Sequence, residues 1–443
     1  MNIILQAIEP YKRLLGEQKF LLNVNYRPMY YVIEHYFDDG LLLYNTMTKE
    51  LIFLNKIDEK IYNETPHKLP QLIKDWFLVP LDYDDRQLCL QIREIGKAIL
   101  PPQTAITHYT IFTTTDCNAR CFYCYEEGCI RFSMSSKTAQ DTAKFIIKHC
   151  EGEEVTLNWF GGEPLYNKEV ISIICDLLQK TGIKYTSKII SNGYLFNKET
   201  IKEAKELWKL KETQITLDGT EKIYNRTKAY IYKNINAYKQ VIGNIHQLLK
   251  SDISVKIRLN IDTYNANDLS QLTKELHQEF SEEKNLKVYL HQLYHKTEKK
   301  DNKQLRDERQ DIYQIIFELE SRLRDYKLAQ IPKLNRKIKL NNCIADNDKC
   351  ITILPSGNIG KCDLYLDDSF IGHVNKEEFD NDMINDYKVR QAETDTCPTC
   401  FYYPDCIHLN ICRHHSNCFP EEREKILKTL KLSMLNTYNE FNK

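Results

Sequence analysis

Eleven of the cysteines in this chain are spaced as metal ligands are spaced. Cys117, Cys121 and Cys124 form a C-x3-C-x2-C run within one short segment. Three thiolates suit three irons of a [4Fe–4S] cluster, whose usual complement is four Cys. A missing fourth ligand leaves one iron open to a substrate or cofactor, as the open position does at a catalytic zinc. A structural zinc site is the competing reading, with Cys129 as its fourth ligand. The other eight are Cys343, Cys350, Cys362, Cys397, Cys400, Cys406, Cys412 and Cys418. Eight thiols fill two fully ligated [4Fe–4S] clusters or two four-thiolate zinc sites, and spacing alone does not separate these. Cys89, Cys129, Cys150 and Cys175 are scattered and read as core or surface thiols.

Composition narrows the classes. The chain has 443 residues, 42% of them apolar, with 61 Lys and Arg against 62 Asp and Glu. That length allows two or three domains, and the charge balance argues against nucleic-acid binding through a basic face. No apolar run approaches the roughly 18 residues that span a bilayer. The first residues, Met-Asn-Ile-Ile-Leu-Gln, lack the apolar stretch of a signal peptide. The expectation is a cytoplasmic protein without membrane partners, where clustered cysteines serve metals or catalysis rather than disulfides.

The elements that must hold these residues are legible in outline. Tyr30–Phe37, Leu41–Tyr44 and Leu51–Leu54 read as short strands around an Asp38-Asp39-Gly40 turn. Leu69–Trp76 and Arg86–Ile99 have helical apolar spacing, and Pro101-Pro102 marks a boundary. Six strand patterns follow, at Thr107–Thr113, Val155–Trp159, Tyr185–Ser191, Gln214–Leu217, Ser254–Ile261 and Leu286–Leu290. Helical patterns lie between them, at Thr138–His149, Lys168–Lys180, Lys198–Trp208, Ile235–Leu249 and Leu269–Phe280. Such alternation predicts a parallel sheet covered by helices, an α/β barrel or part-barrel, with chemistry on the loops after the strands. The first cysteine run follows the first of these strands. Ile312, Ile315, Ile316, Leu319 and Leu323 make one helical face, and Pro420 to Asn436 reads as a last helix. The predicted segments are 1–105, a small strand-and-helix module; 106–330, the barrel; and 331–443, a Cys-rich domain.

Cys117, Cys121 and Cys124, with Tyr123 before the last Cys, resemble the signature of the radical S-adenosylmethionine (SAM) superfamily. Gly161-Gly162-Glu163-Pro164, Ser191-Asn192-Gly193, Thr216-Leu217-Asp218-Gly219 and Arg258-Leu259-Asn260 follow in that family's order. The resemblance covers residues 106–436 and implies a partial (β/α)6 barrel. Gly161 and Gly162 let backbone approach a ligand closely. Glu163 is an acceptor suited to the methionyl ammonium of SAM, and Ser191 and Asn192 offer hydrogen bonds to its ribose. By resemblance, Tyr123 and Leu259 contact the adenine and Thr216 is a polar contact to SAM. Lys228, or Arg226, stands where relatives carry an Arg paired with the SAM carboxylate; a Lys offers a point charge rather than a fork.

The C-terminal cysteines resemble the SPASM domain that follows many such barrels, with a G-x4-C hairpin from Gly357 to Cys362 and a C-x2-C-x5-C run at Cys397, Cys400 and Cys406. The usual x3 step to the next Cys is x5 here, before Cys412. The resemblance implies that Cys343, Cys350, Cys362 and Cys412 hold the nearer auxiliary cluster and Cys397, Cys400, Cys406 and Cys418 the farther one, with Cys412 and Cys418 open to exchange. Asp363 follows Cys362 as in the Cys-Asp-Phe-Tyr of anaerobic sulfatase-maturating enzymes, which implies a catalytic base.

The implied cofactors are SAM and three [4Fe–4S] clusters, one binding SAM and two auxiliary. The implied reaction is cleavage of SAM to a 5′-deoxyadenosyl radical that abstracts hydrogen from a peptide or protein, with flavodoxin or ferredoxin as electron donor. Residues 1–105 weakly resemble leader-peptide recognition elements, which add a peptide as a strand at a sheet edge. The expectation is therefore a thioether or carbon–carbon crosslink in a ribosomally made precursor peptide. The alternatives are a formylglycine-generating sulfatase maturase and, from another class, a non-catalytic Fe–S or zinc scaffold that binds peptides.

Overall fold

The structure is a computed structural model. It describes residues 1–6, 13–21, 23–99, 104–124, 130–233, 235–293, 302–337, 340, 343–363, 370–376, 378–388, 393–406 and 420–443. Cys129, Cys412 and Cys418, and with them part of the expected ligand sets, lie outside the described residues. The chain divides into two compact units: residues 1–102, 331–346 and 388–443 in one, and 103–330 with 347–387 in the other. This division cuts across the predicted third segment, whose hairpin region clusters with the barrel and whose tail clusters with the N-terminal residues.

In the first unit the strands are β1 (Asn2–Leu5), β2 (Tyr26–Pro28), β3 (Val32–Phe37), β4 (Gly40–Asn45), β5 (Glu50–Asn55) and β6 (Leu78–Pro80). The helices are α1 (Lys56–Glu64), α2 (Pro70–Lys74) and α3 (Asp85–Ala98). Four strands form an antiparallel sheet in the order β1-β5-β4-β3, and β2 pairs with β6. All of β4 is buried, because both faces are covered. Leu41 and Leu43 pack with Tyr62, Leu72, Ile73 and Phe77. Leu42 and Tyr44 pack with Leu334 and with Met434 of the C-terminal helix Pro420–Phe441. Helix α1 escapes the sequence reading because its apolar stripe is thin: Ile57 is exposed and Tyr62 is its one buried side chain. Asn55 starts it by accepting from Ile57 N–H and Asp58 N–H, as an N-cap does.

In the second unit, β7 (His108–Thr114), β8 (Val155–Gly161), β9 (Tyr185–Ser191), β10 (Leu210–Leu217), β11 (Ser254–Ile261) and β12 (Leu286–Gln292) pair in parallel in chain order. Between and after them run α4 (Ser136–His149), α5 (Lys168–Lys180), α6 (Lys198–Glu206), α7 (Glu221–Lys228), α8 (Ala237–Lys250), α9 (Ala266–Phe280) and α10 (Asn302–Asp325). This is the predicted run of β/α units as a parallel partial barrel. Trp159, Ile189, Ile215, Ile257 and Val288 belong to its buried core, so the strands are fixed by apolar contact and the polar loops stay at their ends. Strand β13 (Cys350–Ile353) joins the outer side of β7 in parallel, pairing Cys350 with His108. Strands β14 (Asn358–Gly360) and β15 (Gly372–His373) extend the sheet antiparallel. Among the described residues, no helix is long and apolar enough to cross a membrane.

Candidate functional site

The cysteine run leaves the C-terminal end of β7. Asp116 Oδ1 accepts from Cys117 N–H at 2.8 Å, and Cys124 N–H closes a turn on Cys121 O at 3.1 Å. Cys117, Cys121 and Cys124 are half-buried and form no disulfide. Ala119 N–H donates to Cys117 Sγ at 3.3 Å, and Asn192 Nδ2 stands 3.8 Å from that sulfur. Burial pushes the Cys117 thiol up to about 12 and raises Cys121 as well. Thiolates here therefore call for a cation. Among the described residues, no three thiol, imidazole or carboxylate groups stand together as a ready metal cage. The fit to an iron–sulfur cluster rests on the donor set: three thiols in one loop, with backbone amide donated to sulfur at Cys117.

Gly161 and Gly162 do permit a close approach, but the approaching group is the protein's own backbone. A Cβ on Gly161, whose φ is +127°, would lie 2.1 Å from Thr114 O. One on Gly162 would lie 2.4 Å from Asp116 O. Gly162 N–H donates to Thr114 O at 3.0 Å and Glu163 N–H to Asp116 O at 2.9 Å. The glycines thus seat the end of β8 against the start of the cysteine loop.

Glu163 is fully buried. Its carboxylate accepts from Ser191 Oγ at 2.9 Å, Asn192 N–H at 2.7 Å and Leu165 N–H at 3.1 Å. Burial raises its pKa to about 7 despite these three donors. Asn192 Nδ2 donates to Asn118 Oδ1 at 2.6 Å, so Glu163, Ser191, Asn192 and the cysteine loop form one connected group.

Tyr123, Thr216 and Lys228 meet one another. Lys228 Nζ donates to Thr216 Oγ1 at 2.7 Å and to Tyr123 OH at 2.9 Å, and lies 2.9 Å from Asp218 Oδ2. Burial works against the Lys228 charge, but Asp218 and then Tyr123 outweigh it, and the ammonium is held well above its usual range. Arg226 is exposed on α7. Leu259 is fully buried in the barrel core, in register between Leu217 and Leu290. Sequence reasoning named Asp218 and Asn260 only within their motifs and gave neither a role; Asn260 Nδ2 donates to Asp218 Oδ1 at 2.8 Å. Their signal was available: each is a buried polar residue at the C-terminal end of a barrel strand.

The other cysteines fall in both units. Cys350 and Cys362 lie at the base of the β13–β14 hairpin, where Lys361 Nζ donates to Cys350 O at 2.8 Å and Asn347 O at 2.7 Å. Asp363 follows there, and burial raises its carboxyl. This level is that of His108; six residues, roughly 20 Å of strand, separate it along β7 from Thr114. In the first unit, Cys343 is exposed and its sulfur accepts from Ala345 N–H at 3.5 Å. Cys397, Cys400 and Cys406 pack against Met29, Tyr31, Trp76 and Ile92. Their loop is pinned by N-terminal residues. Thr46 Oγ1 donates to Phe401 O at 2.6 Å, Arg93 donates to Pro404 O at 2.8 Å, and the buried Lys49 pairs with Asp405.

Residues 107–242 match the family described as a 4Fe-4S single cluster domain. A probable GTP 3′,8-cyclase of Methanococcus vannielii is 26% identical over 167 residues, covering 37% of this chain and 50% of that protein. The chain thus spans about half the length of the curated relative it matches. Among solved structures, anSMEcpe with bound AdoMet has a TM-score of 0.57 at 14% identity, over 76% of this chain and 95% of that one. SuiB of Streptococcus suis bound to S-adenosylmethionine has a TM-score of 0.50 at 10% identity, over 86% and 94%. Likeness at these identities is likeness of fold. The cysteine loop stands at the C-terminal end of the first barrel strand, the iron–sulfur match begins at that same strand, and the chain shares the partial-barrel fold of anSMEcpe and SuiB.

Proposed function

We propose that this chain is a peptide-modifying radical SAM maturase that installs a thioether or carbon–carbon crosslink in a ribosomally made precursor. The observation that carries the choice of substrate is the N-terminal sheet. Strand β3 is its edge, and among the described strands it pairs with β4 alone. An edge strand presents a row of backbone donors and acceptors to an extended peptide. Two structures of like fold hold peptides: anSMEcpe with the Cp18Cys peptide and SuiB with its precursor peptide SuiA.

Cys117, Cys121 and Cys124 would hold the first [4Fe–4S] cluster. Glu163, Ser191, Asn192, Tyr123, Thr216 and Leu259 would frame SAM beside it. Cys343, Cys350, Cys362 and Cys412, and Cys397, Cys400, Cys406 and Cys418, would hold two auxiliary clusters. Cluster and SAM together supply, when bound, the electron and the carbon radical for hydrogen abstraction. The chain's own part is to hold Glu163 for the SAM ammonium, to position the loop and to dock the peptide. A flavodoxin or ferredoxin would supply the electron, and free thiols suit the cytoplasm.

The formylglycine reading draws on Asp363, whose burial raises its carboxyl above the usual carboxylate range and so favours its taking up a proton. The test is anaerobic incubation of reconstituted, reduced protein with SAM and a neighbouring precursor peptide. Formation of 5′-deoxyadenosine with loss of two hydrogens from the peptide supports the proposal. Formylglycine in place of a Cys or Ser transfers it to the alternative, and no 5′-deoxyadenosine at all overturns both.

A further inference from the structure

The Lys228 ammonium is engaged by the chain itself. The partners are Thr216 Oγ1, Tyr123 OH and Asp218 Oδ2, all within 2.9 Å. An ammonium has three donors and no acceptor; two are spent on Thr216 and Tyr123 and its charge is paired with Asp218, so a ligand carboxylate would have to compete with Asp218. Asp218 is engaged in its turn. It accepts from Tyr123 OH at 2.7 Å and from Asn260 Nδ2 at 2.8 Å, besides its ion pair with Lys228. Both charged side chains are buried, and drawing Lys228 away would leave Asp218 buried without its cation.

The main chain around Lys228 grips the same loop. Arg120 N–H donates to Lys228 O at 2.8 Å, and Ile231 N–H donates to Asn118 O at 3.0 Å. Arg120 and Asn118 lie between Cys117 and Cys121, and Tyr123 lies between Cys121 and Cys124. Side chain and backbone at Lys228 therefore hold the cysteine loop on both sides of Cys121.

We infer that Lys228 and Asp218 are positioning residues that clamp the cysteine loop through Tyr123, and that Lys228 is not the partner of the SAM carboxylate. The pair ties the loop to the ends of β10 and β11. The inference rests on the reading of this site as a SAM site.

The test uses the full chain, reconstituted anaerobically, as wild type, Lys228→Gln and Asp218→Asn. Bound iron is counted, the EPR spectrum of the reduced protein is recorded, and Kd is measured for SAM and for decarboxylated SAM, which keeps the sulfonium and amine but lacks the carboxylate. A clamp predicts that both variants lose iron and an altered loop-cluster signal, and that both ligands weaken in step, by about tenfold or more. Their ratio stays at the wild-type value within about twofold. A carboxylate partner predicts otherwise. Lys228→Gln would keep its iron and lose affinity for SAM alone, and Asp218→Asn, by removing a competing anion, would tighten SAM alone. Either result overturns the inference, as does unchanged iron with unchanged affinity. If Lys228→Gln fails to fold, Asp218→Asn, which keeps shape and an acceptor oxygen, carries the test. Wild type that binds neither ligand defeats the SAM reading instead, and the iron counts then decide the clamp.

Discussion

Glu163 offers a direct test of the site's electrostatics through Glu163→Gln. The carboxyl is fully buried and its pKa rises from 4.5 to about 7, chiefly because burial penalises the charge. At 1.36 kcal/mol per unit, that shift amounts to about 3 kcal/mol. The sign follows from proton binding. Between pH 4.5 and about 7 the folded chain holds the Glu163 proton more tightly than the unfolded chain does. The stability this proton contributes is fully present below the unfolded value and is lost as pH rises through the folded one. SAM-free wild type should therefore lose about 3 kcal/mol of resistance to denaturant, relative to Glu163→Gln, between about pH 4.5 and about pH 8. The side chain is buried, so solvent screening does not discount the figure. The glutamine also turns an N–H toward Asn192 N–H and sacrifices one hydrogen bond, a pH-independent loss that the slope comparison removes. Infrared difference spectroscopy would follow the protonated carboxyl directly, with a midpoint near 7 in wild type and no band in the variant. A midpoint near 4.5 with parallel stability curves would refute the reasoning, because the donors from Ser191, Asn192 and Leu165 would then outweigh burial.

The remaining predictions address the other parts of the site. Gly161→Ala would drive a Cβ to 2.1 Å from Thr114 O at a left-handed φ, costing upward of about 3 kcal/mol; thermal denaturation and iron uptake by the loop should both suffer, and near-normal values would refute the backbone packing. Lys49→Met leaves Asp405 buried without its cation, a loss of about 3–5 kcal/mol; hydrogen exchange should rise across 393–406 and not across β7–β12. Changing Cys117, Cys121 and Cys124 together to Ala should lower bound iron from about twelve to about eight per chain; a fall to zero with zinc retained would make the remaining cysteines structural.

The sequence by itself determined the barrel and the place of its chemistry. Alternation of period-two and helical patterns is a local property, and the strands Tyr185–Ser191 and Ser254–Ile261 stand where that pattern put them. The cysteine spacing is local too, and so is its position just after the first strand. The tertiary structure decided which groups meet. It assigned Gly161 and Gly162 to the backbone at Thr114 and Asp116, and gave Lys228 internal partners in Thr216, Tyr123 and Asp218. It drew Cys350–Ile353 into the barrel sheet and joined the Cys397–Cys406 loop to the N-terminal residues, where Lys49 and Asp405 pair across 356 positions of chain. Such contacts leave no periodicity in the sequence. A buried ammonium or a bare backbone oxygen chooses its partner by what the folded chain brings within about 3 Å, and that choice exists only once the strands have packed.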